Sequence, residues 1–225
     1  RYLAAWAPRC PTLRELGEGE ARALLPVLRP GAAERFVLDA DAVALDTHEM
    51  LQGWSRRLRA GGGRLVAGAE VTELRKEGGR FRLRTTAGTA DAPVLVNAAG
   101  AWATELARRA GARPLALVPH RRSAAIVAPP TGHDVSAWPM VEPLAQDFYF
   151  KPEGGRLMLS PADATPSEPM DAWPEDLDLA AAVERAEAVA DLGVRRFEAT
   201  WAGLRTFAPD RDPVFGWDPD LPGFY

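Results

Sequence analysis

At 225 residues the chain has room for one large domain or two small ones. Its composition, 47% hydrophobic and 26% charged, is ordinary for a globular protein and excludes disorder, while a net charge of −4 gives no electrostatic case for binding nucleic acid or an anionic membrane. The single cysteine, Cys10, excludes an internal disulfide framework and a cysteine-based metal site, and no run nears the roughly 18 apolar residues of a membrane span.

Taken in order, Leu13 to Leu28 reads as a helical stretch, interrupted at Pro26 and closed by Pro30-Gly31, and Arg35 to Leu38 as a short strand. Asp46 can N-cap a helix with Glu49 in the capping-box position. Leu51, Trp54 and Leu58 share one face of that helix, and Gly61-Gly62-Gly63 ends it. Arg64 to Ala67 leads into strands Val71 to Arg75 and Arg80 to Thr85, which pair around Glu77-Gly78-Gly79, and Ala92 to Asn97 follows as a further strand. Beyond Gly111, Leu115 to Val118 and Ser123 to Val127 read as strands separated by Pro119-His120-Arg121-Arg122. Asp147 to Lys151 and Arg156 to Ser160 form a hairpin around Glu153-Gly154-Gly155, and a proline-rich loop leads to a helix at Leu177 to Asp191. Arg195 to Trp201 reads as a strand, with Trp201 to Arg205 turning out of it. The expected fold class is therefore α/β, α+β overall. A Rossmann-like domain would occupy residues 1–113, a mainly antiparallel domain 114–207, and 208–225 would return to the first. There is no internal repeat.

The stretch Val94 to Ala110, VLVNAAGAWATELARRA, organises the rest. Val94 to Asn97 reads as a strand buried on both faces, Ala98-Ala99-Gly100 as a turn almost without side chains, and Trp102 to Ala110 as a helix capped by Gly111. Strand, small turn and helix N-terminus form a place where backbone N–H groups can approach a phosphate with the helix dipole behind them. An ordinary strand-to-helix connection packed by small residues fits the same spacing, and both readings stay open at this point.

Other clusters carry less. His48, His120 and His133 lack metal-ligand spacing, so no metal site is expected. Asp39, Asp41 and Asp46 resemble a carboxylate cluster but read as turn and cap residues, as do Asp210, Asp212 and Asp218 among prolines. Ser123 and Ser160 lack a nucleophile elbow.

The segments LVNAAGAWATELARRAG, PHRRSAAIVAPP, FYFKPEGGRLMLSPAD and WAGLRTFAPDRDPVFGWDPDLPGFY, in their mutual spacing, resemble the FAD-dependent D-amino-acid oxidase/glycine oxidase superfamily. Within it the bacterial D-arginine dehydrogenase group is the most similar. The resemblance runs from about Leu24 to Tyr225. It implies a bilobed bacterial flavoenzyme that oxidises a D-amino acid to an imino acid by hydride transfer to FAD, with glycine or sarcosine as alternative substrates. A non-catalytic remnant acting as a binding module is the reading from another class.

Carried over residue by residue, the resemblance assigns Val71, Asn97, Ala98, Ala99, Gly100 and Trp102 to the cofactor. Val71 would meet the adenine end, and the others form a phosphate-approach turn. It assigns Arg122, Tyr149 and Arg205 to the substrate carboxylate and neighbouring atoms, as the catalytic set, and Met140 to the apolar lining. The chemistry suits these types: Arg205 offers a planar bidentate fork, Tyr149 an O–H donor without a second charge, and Arg122 completes the clamp. Taken singly, an arginine reads as a solvated face and Tyr149 as an alternating sheet residue. Phe148 and Phe150 on one face would put Tyr149 on the other.

The chain starts at Arg1 rather than a methionine and stops at Tyr225 in an apolar run, so a piece of a longer protein is expected. A GxGxxG loop for the pyrophosphate, a glycine-rich segment over the flavin and the residues reading the substrate side chain are not in it. This piece alone is expected to bind FAD weakly or not at all. No signal peptide is visible and the expected location is cytoplasmic.

Overall fold

The computed structural model describes residues 2–225. In chain order the elements are α1 (Tyr2–Trp6), β1 (Leu13–Leu16), α2 (Glu18–Leu24), β2 (Phe36–Asp39), α3 (Thr47–Ala60), β3 (Val71–Glu77), β4 (Arg80–Thr85), β5 (Gly88–Ala92), a 3₁₀ turn (Gly100–Trp102) and α4 (Ala103–Ala110). These are followed by β6 (Val118–Val127), β7 (Tyr149–Glu153), β8 (Arg156–Ser160), β9 (Thr165–Pro166), α5 (Asp176–Val189) and β10 (Phe197–Phe207). They fall into two compact units: the chain up to Ala42 with Pro119–Thr206, and Val43–Val118 with Phe207–Tyr225. The architecture is mixed helix and antiparallel sheet, as the α/β, α+β reading expects.

The first unit is built on a five-stranded sheet in the order β10-β6-β8-β7, with β9 pairing β6. The β6–β8 register sets Ala125 against Leu159 and Val127 against Leu157, and the β7–β8 register sets Phe150 against Leu159. Paired residues share a face. One face of the sheet is therefore lined by Ala125, Val127, Phe150, Leu157 and Leu159, all fully buried. Val127, Phe150, Leu157 and Leu159 share a core with Leu16, Leu25 and Leu28 from the N-terminal segment and with Ala182 and Ala186 of α5. Burying a side chain of this kind is worth about 1.5–3 kcal/mol, which fixes which face of the sheet looks outward.

In the second unit, β3, β4 and β5 form an antiparallel meander, and Phe81 is its fully buried centre. Phe81 packs with Leu74, Ala107, Ala110 and Phe224, its ring 6.2 Å from that of Phe224. Asp46 caps α3 by accepting from the Glu49 N–H at 2.8 Å, as its spacing predicts. Leu51, Trp54 and Leu58 share a face of α3, but that face is exposed (Trp54 61%). Gly111, left-handed, ends α4 as expected.

Four local expectations are corrected. Leu13–Leu16 is a strand rather than the start of a helix. It pairs with β2, Arg35 binds Glu15 through two guanidinium nitrogens across the pair, and α2 begins only after Gly17, whose N–H donates to Glu20. The strand expected at Ala92 to Asn97 is instead β5 ending at Ala92 plus a single parallel bridge, Leu95 to Phe224. Val94 and Val96 are exposed (46% and 59%), so this stretch is buried on one face and not both, because only the Leu95 side meets the Phe81 cluster. Leu115 to Val118 and Ser123 to Val127 are not two strands around a loop. The segment Val118–Val127 is one strand, because Pro119 lies at its start, where a missing N–H costs little, and the charge of Arg121 is met by three carboxylates. Arg195 to Arg205 likewise does not turn at Trp201: β10 runs on to Phe207 with Gly203 extended within it.

Candidate active site

The strand status of β6 decides how Arg122 is presented. Its neighbours Arg121 and Ser123 both bind Asp163, Arg121 through Nε at 3.4 Å and Ser123 through its N–H at 2.6 Å and its Oγ at 2.9 Å. Arg121 also donates to Glu175 at 2.7 Å and Asp178 at 2.8 Å, at the start of α5. Burial by itself would lower the pKa of Arg121; the hydrogen bonds to Glu175 and Asp163 outweigh it and raise the pKa, so this guanidinium stays charged. Arg121 and Ser123 thus point to the α5 side. By alternation Arg122 points to the other, half-buried among its neighbours.

Tyr149 lies on that same outward face. Phe150 is fully buried on the α5 side and Phe148 is also buried, which leaves Tyr149 between them half-buried and opposite Ser160 in register. The row from Tyr149 crosses Ser160 and, one step beyond the Ala125–Leu159 pair, leads to Ala124, both small and buried, and Arg122 lies two residues farther along β6. With strands about 4.8 Å apart and residues about 3.3 Å along each, the Tyr149 and Arg122 backbones are about 12 Å apart, a span two long side chains close around a small carboxylate. Met140 joins this face. Val141 exchanges two backbone hydrogen bonds with Phe150 (2.9 and 3.0 Å) and follows it to the core side, so Met140 turns outward, 51% exposed. Arg205 is exposed on β10, the strand beside β6. A cleft of about 780 Å³ among Pro26, Leu28, Pro130, Leu192 and Arg195 contains none of these four residues.

The cofactor candidates lie in the other unit. Leu95 and Asn97 donate to the carbonyls of Gly223 and Tyr225 at 2.9 and 2.8 Å, and Tyr225 donates back to Leu95 at 2.9 Å. This parallel lock carries the chain into the Asn97–Gly100 turn. Asn97 organises the turn by accepting from the Ala99 N–H at 3.3 Å and donating from Nδ2 to the Ala103 carbonyl at 2.9 Å. Gly100 has a φ of +55°, and the space a Cβ would occupy there holds no other atom within 4 Å. Ala98 is exposed, Ala99 half-buried, and Trp102, half exposed, closes the 3₁₀ turn before α4. Val71 opens β3, and its carbonyl accepts from Arg109 Nη1 of α4 at 2.7 Å. Glu105 ties that arginine down; its hydrogen bonds to Arg108 and Arg109 hold its carboxyl at about 2, well below the usual carboxylate range.

Sequence reasoning passed over Asp163, Glu105 and Arg109. Asp163 was visible only as the last letter of the SPAD segment, and the Glu105–Arg109 spacing of four was a helix-pair signal left unused. Among the described residues no three His, Cys, Asp or Glu side chains are grouped to hold a metal, and no helix is long and apolar enough to cross a membrane.

The family model described as FAD dependent oxidoreductase (DAO) matches residues 1–225, and the chain belongs to that family. It is 27% identical over 195 residues to mitochondrial sarcosine dehydrogenase of Mus musculus, covering 76% of this chain and 20% of that protein. It is 24% identical over 229 residues to glycine oxidase of Geobacillus kaustophilus, covering 100% and 58%. The crystal structure of that glycine oxidase superposes with a TM-score of 0.86, covering 100% of this chain and 59% of the other at 24% identity. The reduced L-α-glycerophosphate oxidase of Mycoplasma pneumoniae with FAD bound superposes at 0.79 and 16% identity, covering 95% and 58%. The chain thus spans between a fifth and three fifths of the length of these proteins. The two sequence relatives named here are a sarcosine and a glycine enzyme rather than D-arginine dehydrogenases.

FAD is the cofactor of the family, and the open space over Gly100, the nearly side-chain-free turn and the adjoining N-terminus of α4 fit its phosphates.

Proposed function

From membership of the FAD-dependent oxidoreductases we propose that the protein carrying this chain oxidises the C–N bond of a small amino acid. Its substrate class is a D-amino acid or a glycine- or sarcosine-type amine. The observation that carries this reading is the shared sheet face of Arg122, Tyr149 and Met140, opposite the α5-packed side. The guanidinium of Arg122 and the phenol of Tyr149 take the two ends of a carboxylate, Arg205 supplies a second fork, and Met140 lines the apolar side. So held, the substrate keeps its α C–H in one orientation, and such positioning supplies much of the rate. Bound FAD would supply a two-electron acceptor for the hydride of the α C–H, with the amine proton passing to solvent, and the resulting imino acid would be hydrolysed by water. The Asn97–Gly100 turn and α4 hold the cofactor's phosphates, with Val71 at its adenine end.

The D-amino-acid reading rests on the motif resemblance, and the glycine or sarcosine reading on the names of the relatives. One experiment separates them. The flavin-containing protein is mixed without oxygen with D-arginine, D-alanine, glycine and sarcosine in turn, and bleaching of the visible flavin band identifies the substrate. Reoxidation by air or by an added quinone then identifies the electron acceptor. A protein that takes up no FAD refutes the proposal.

A further inference from the structure

The edge of β6 that faces away from β10 is paired in two separate pieces. Residues 125–127 bond to β8, and His120 and Arg121 bond to β9. Between the two pairings the chain leaves the sheet as Pro161-Ala162-Asp163 and then returns. Ala162 in that excursion has a φ of +51°, a conformation alanine adopts only where its surroundings impose it. Arg122 lies opposite this gap, between the two pairings, with β10 beside β6 on the other edge.

Side chains of the excursion take the place of the missing ladder. Ser160 Oγ donates to the Ser123 carbonyl at 2.6 Å and accepts from the Ala162 N–H at 3.1 Å. Asp163, only 7% exposed, accepts the Ser123 N–H and hydroxyl and reaches Arg121 Nε. Both backbone polar groups of the residue after Arg122, and the side chain of the residue before it, are therefore held from one side. Ser123 and Ser160 are fully buried, so water does not substitute for these bonds.

We propose that Asp163, with Ser160, is a positioning residue for the carboxylate clamp: the pair fixes the β6 backbone at Ser123, just after Arg122, and Asp163 holds the Arg121 side chain just before it, so that the Arg122 guanidinium projects from the opposite face in one orientation. This rests on the reading of Arg122 as a substrate ligand. Asp163 points away from that face and touches no substrate. Its contribution passes through the strand, as a rigid mount rather than as a charge at the reacting atoms.

The test is a double-mutant cycle in the flavin-loaded protein, using whichever of glycine, sarcosine, D-alanine and D-arginine reduces the flavin. Asp163→Asn keeps the shape but gives up acceptor capacity toward Ser123 and Arg121. It is expected to raise KM by about tenfold to a hundredfold, with kcat changed much less, as displacement of a positioned group does. In an Arg122→Ala background the same substitution is expected to change KM by less than about twofold, because the group it aims is gone. Ser160→Ala, which removes the bond to the Ser123 carbonyl and the one from the Ala162 N–H but leaves Asp163 in place, is the milder second variant if Asp163→Asn folds poorly, and shows the same dependence on Arg122. If Arg122→Ala raises KM while neither variant does, or if their effects multiply unchanged in both backgrounds, the positioning role is overturned and the clamp stands. If Arg122→Ala leaves KM unchanged, the clamp reading fails and the positioning role falls with it.

Discussion

Gly223→Ala tests how the cofactor turn is held. Gly223 has a φ of +84°, and a Cβ built on it would lie 2.5 Å from the Pro93 carbonyl oxygen and 3.4 Å from Phe81 Cε2. A carbon–oxygen contact relaxes at about 3.3 Å, so the backbone on one side has to retreat by about 0.8 Å. The obstacle is a main-chain carbonyl, which no rotamer change moves aside. The left-handed conformation itself costs an alanine about 1–2 kcal/mol. The retreat strains the three hydrogen bonds that couple Leu95 and Asn97 to Gly223 and Tyr225, each worth about 1 kcal/mol net. The sum is a loss of about 2–4 kcal/mol in the unit containing Val43–Val118. The assay is hydrogen exchange at the Leu95, Asn97 and Tyr225 amides together with thermal melting. Gly62→Ala is the control: its φ of +81° is nearly the same but nothing lies within 4 Å of its Cβ, so it isolates the conformational cost. If Gly223→Ala protects these amides as well as the native residue and melts no lower than Gly62→Ala, the lock does not depend on this close approach and the reasoning is refuted.

Arg122→Ala, Tyr149→Phe and Arg205→Ala are each expected to raise KM for the amino-acid substrate more than they lower kcat. The loss for each arginine is about tenfold to a hundredfold, the worth of a hydrogen bond to a charged group, and an unchanged KM removes that residue from the clamp. Gly100→Val should lower the fraction of FAD retained through purification, since a branched side chain is strained at a φ of +55° and fills the space over the turn; full occupancy measured by absorbance contradicts the assignment. For Glu105 the folded pKa is depressed from 4.5 to about 2 by Arg108 and Arg109, so its contribution is present above about pH 4.5 and is lost as pH falls from there toward 2. Glu105→Gln should therefore flatten that part of the acid limb in denaturation curves, and an identical limb in both proteins excludes this network from the stability of α4.

Local signals were legible wherever a short stretch decides its own shape. The Asp46 cap, the Gly78-Gly79 and Gly154-Gly155 hairpins, α5 and the Gly111 cap were all readable, because capping and turn chemistry act within a few residues. Alternation around Phe148 and Phe150 was enough to turn Tyr149 outward. Leu13–Leu16 and β6 were not legible in the same way. Leu13–Leu16 extends because β2, some twenty residues on, offers it a partner and Arg35 an ion pair. His120-Arg121-Arg122 looks like a charged loop until Asp163, Glu175 and Asp178 arrive from 40 to 60 residues away to neutralise Arg121 and leave strand geometry available.

The sequence by itself determined the family, through motifs whose joint spacing carries more than any one of them, and with the family the cofactor, FAD. It also named the residues proposed to hold FAD and substrate. Tyr149 apart, only the tertiary structure decided which way those residues face and what holds them. Arg122 is aimed by Asp163 and Ser160, and the Asn97–Gly100 turn is held by Gly223 and Tyr225. These contacts join residues distant along the chain, and their geometry exists only once the sheet register and the parallel lock have formed. A motif specifies which side chain is present; the packing of remote segments specifies the direction in which it points.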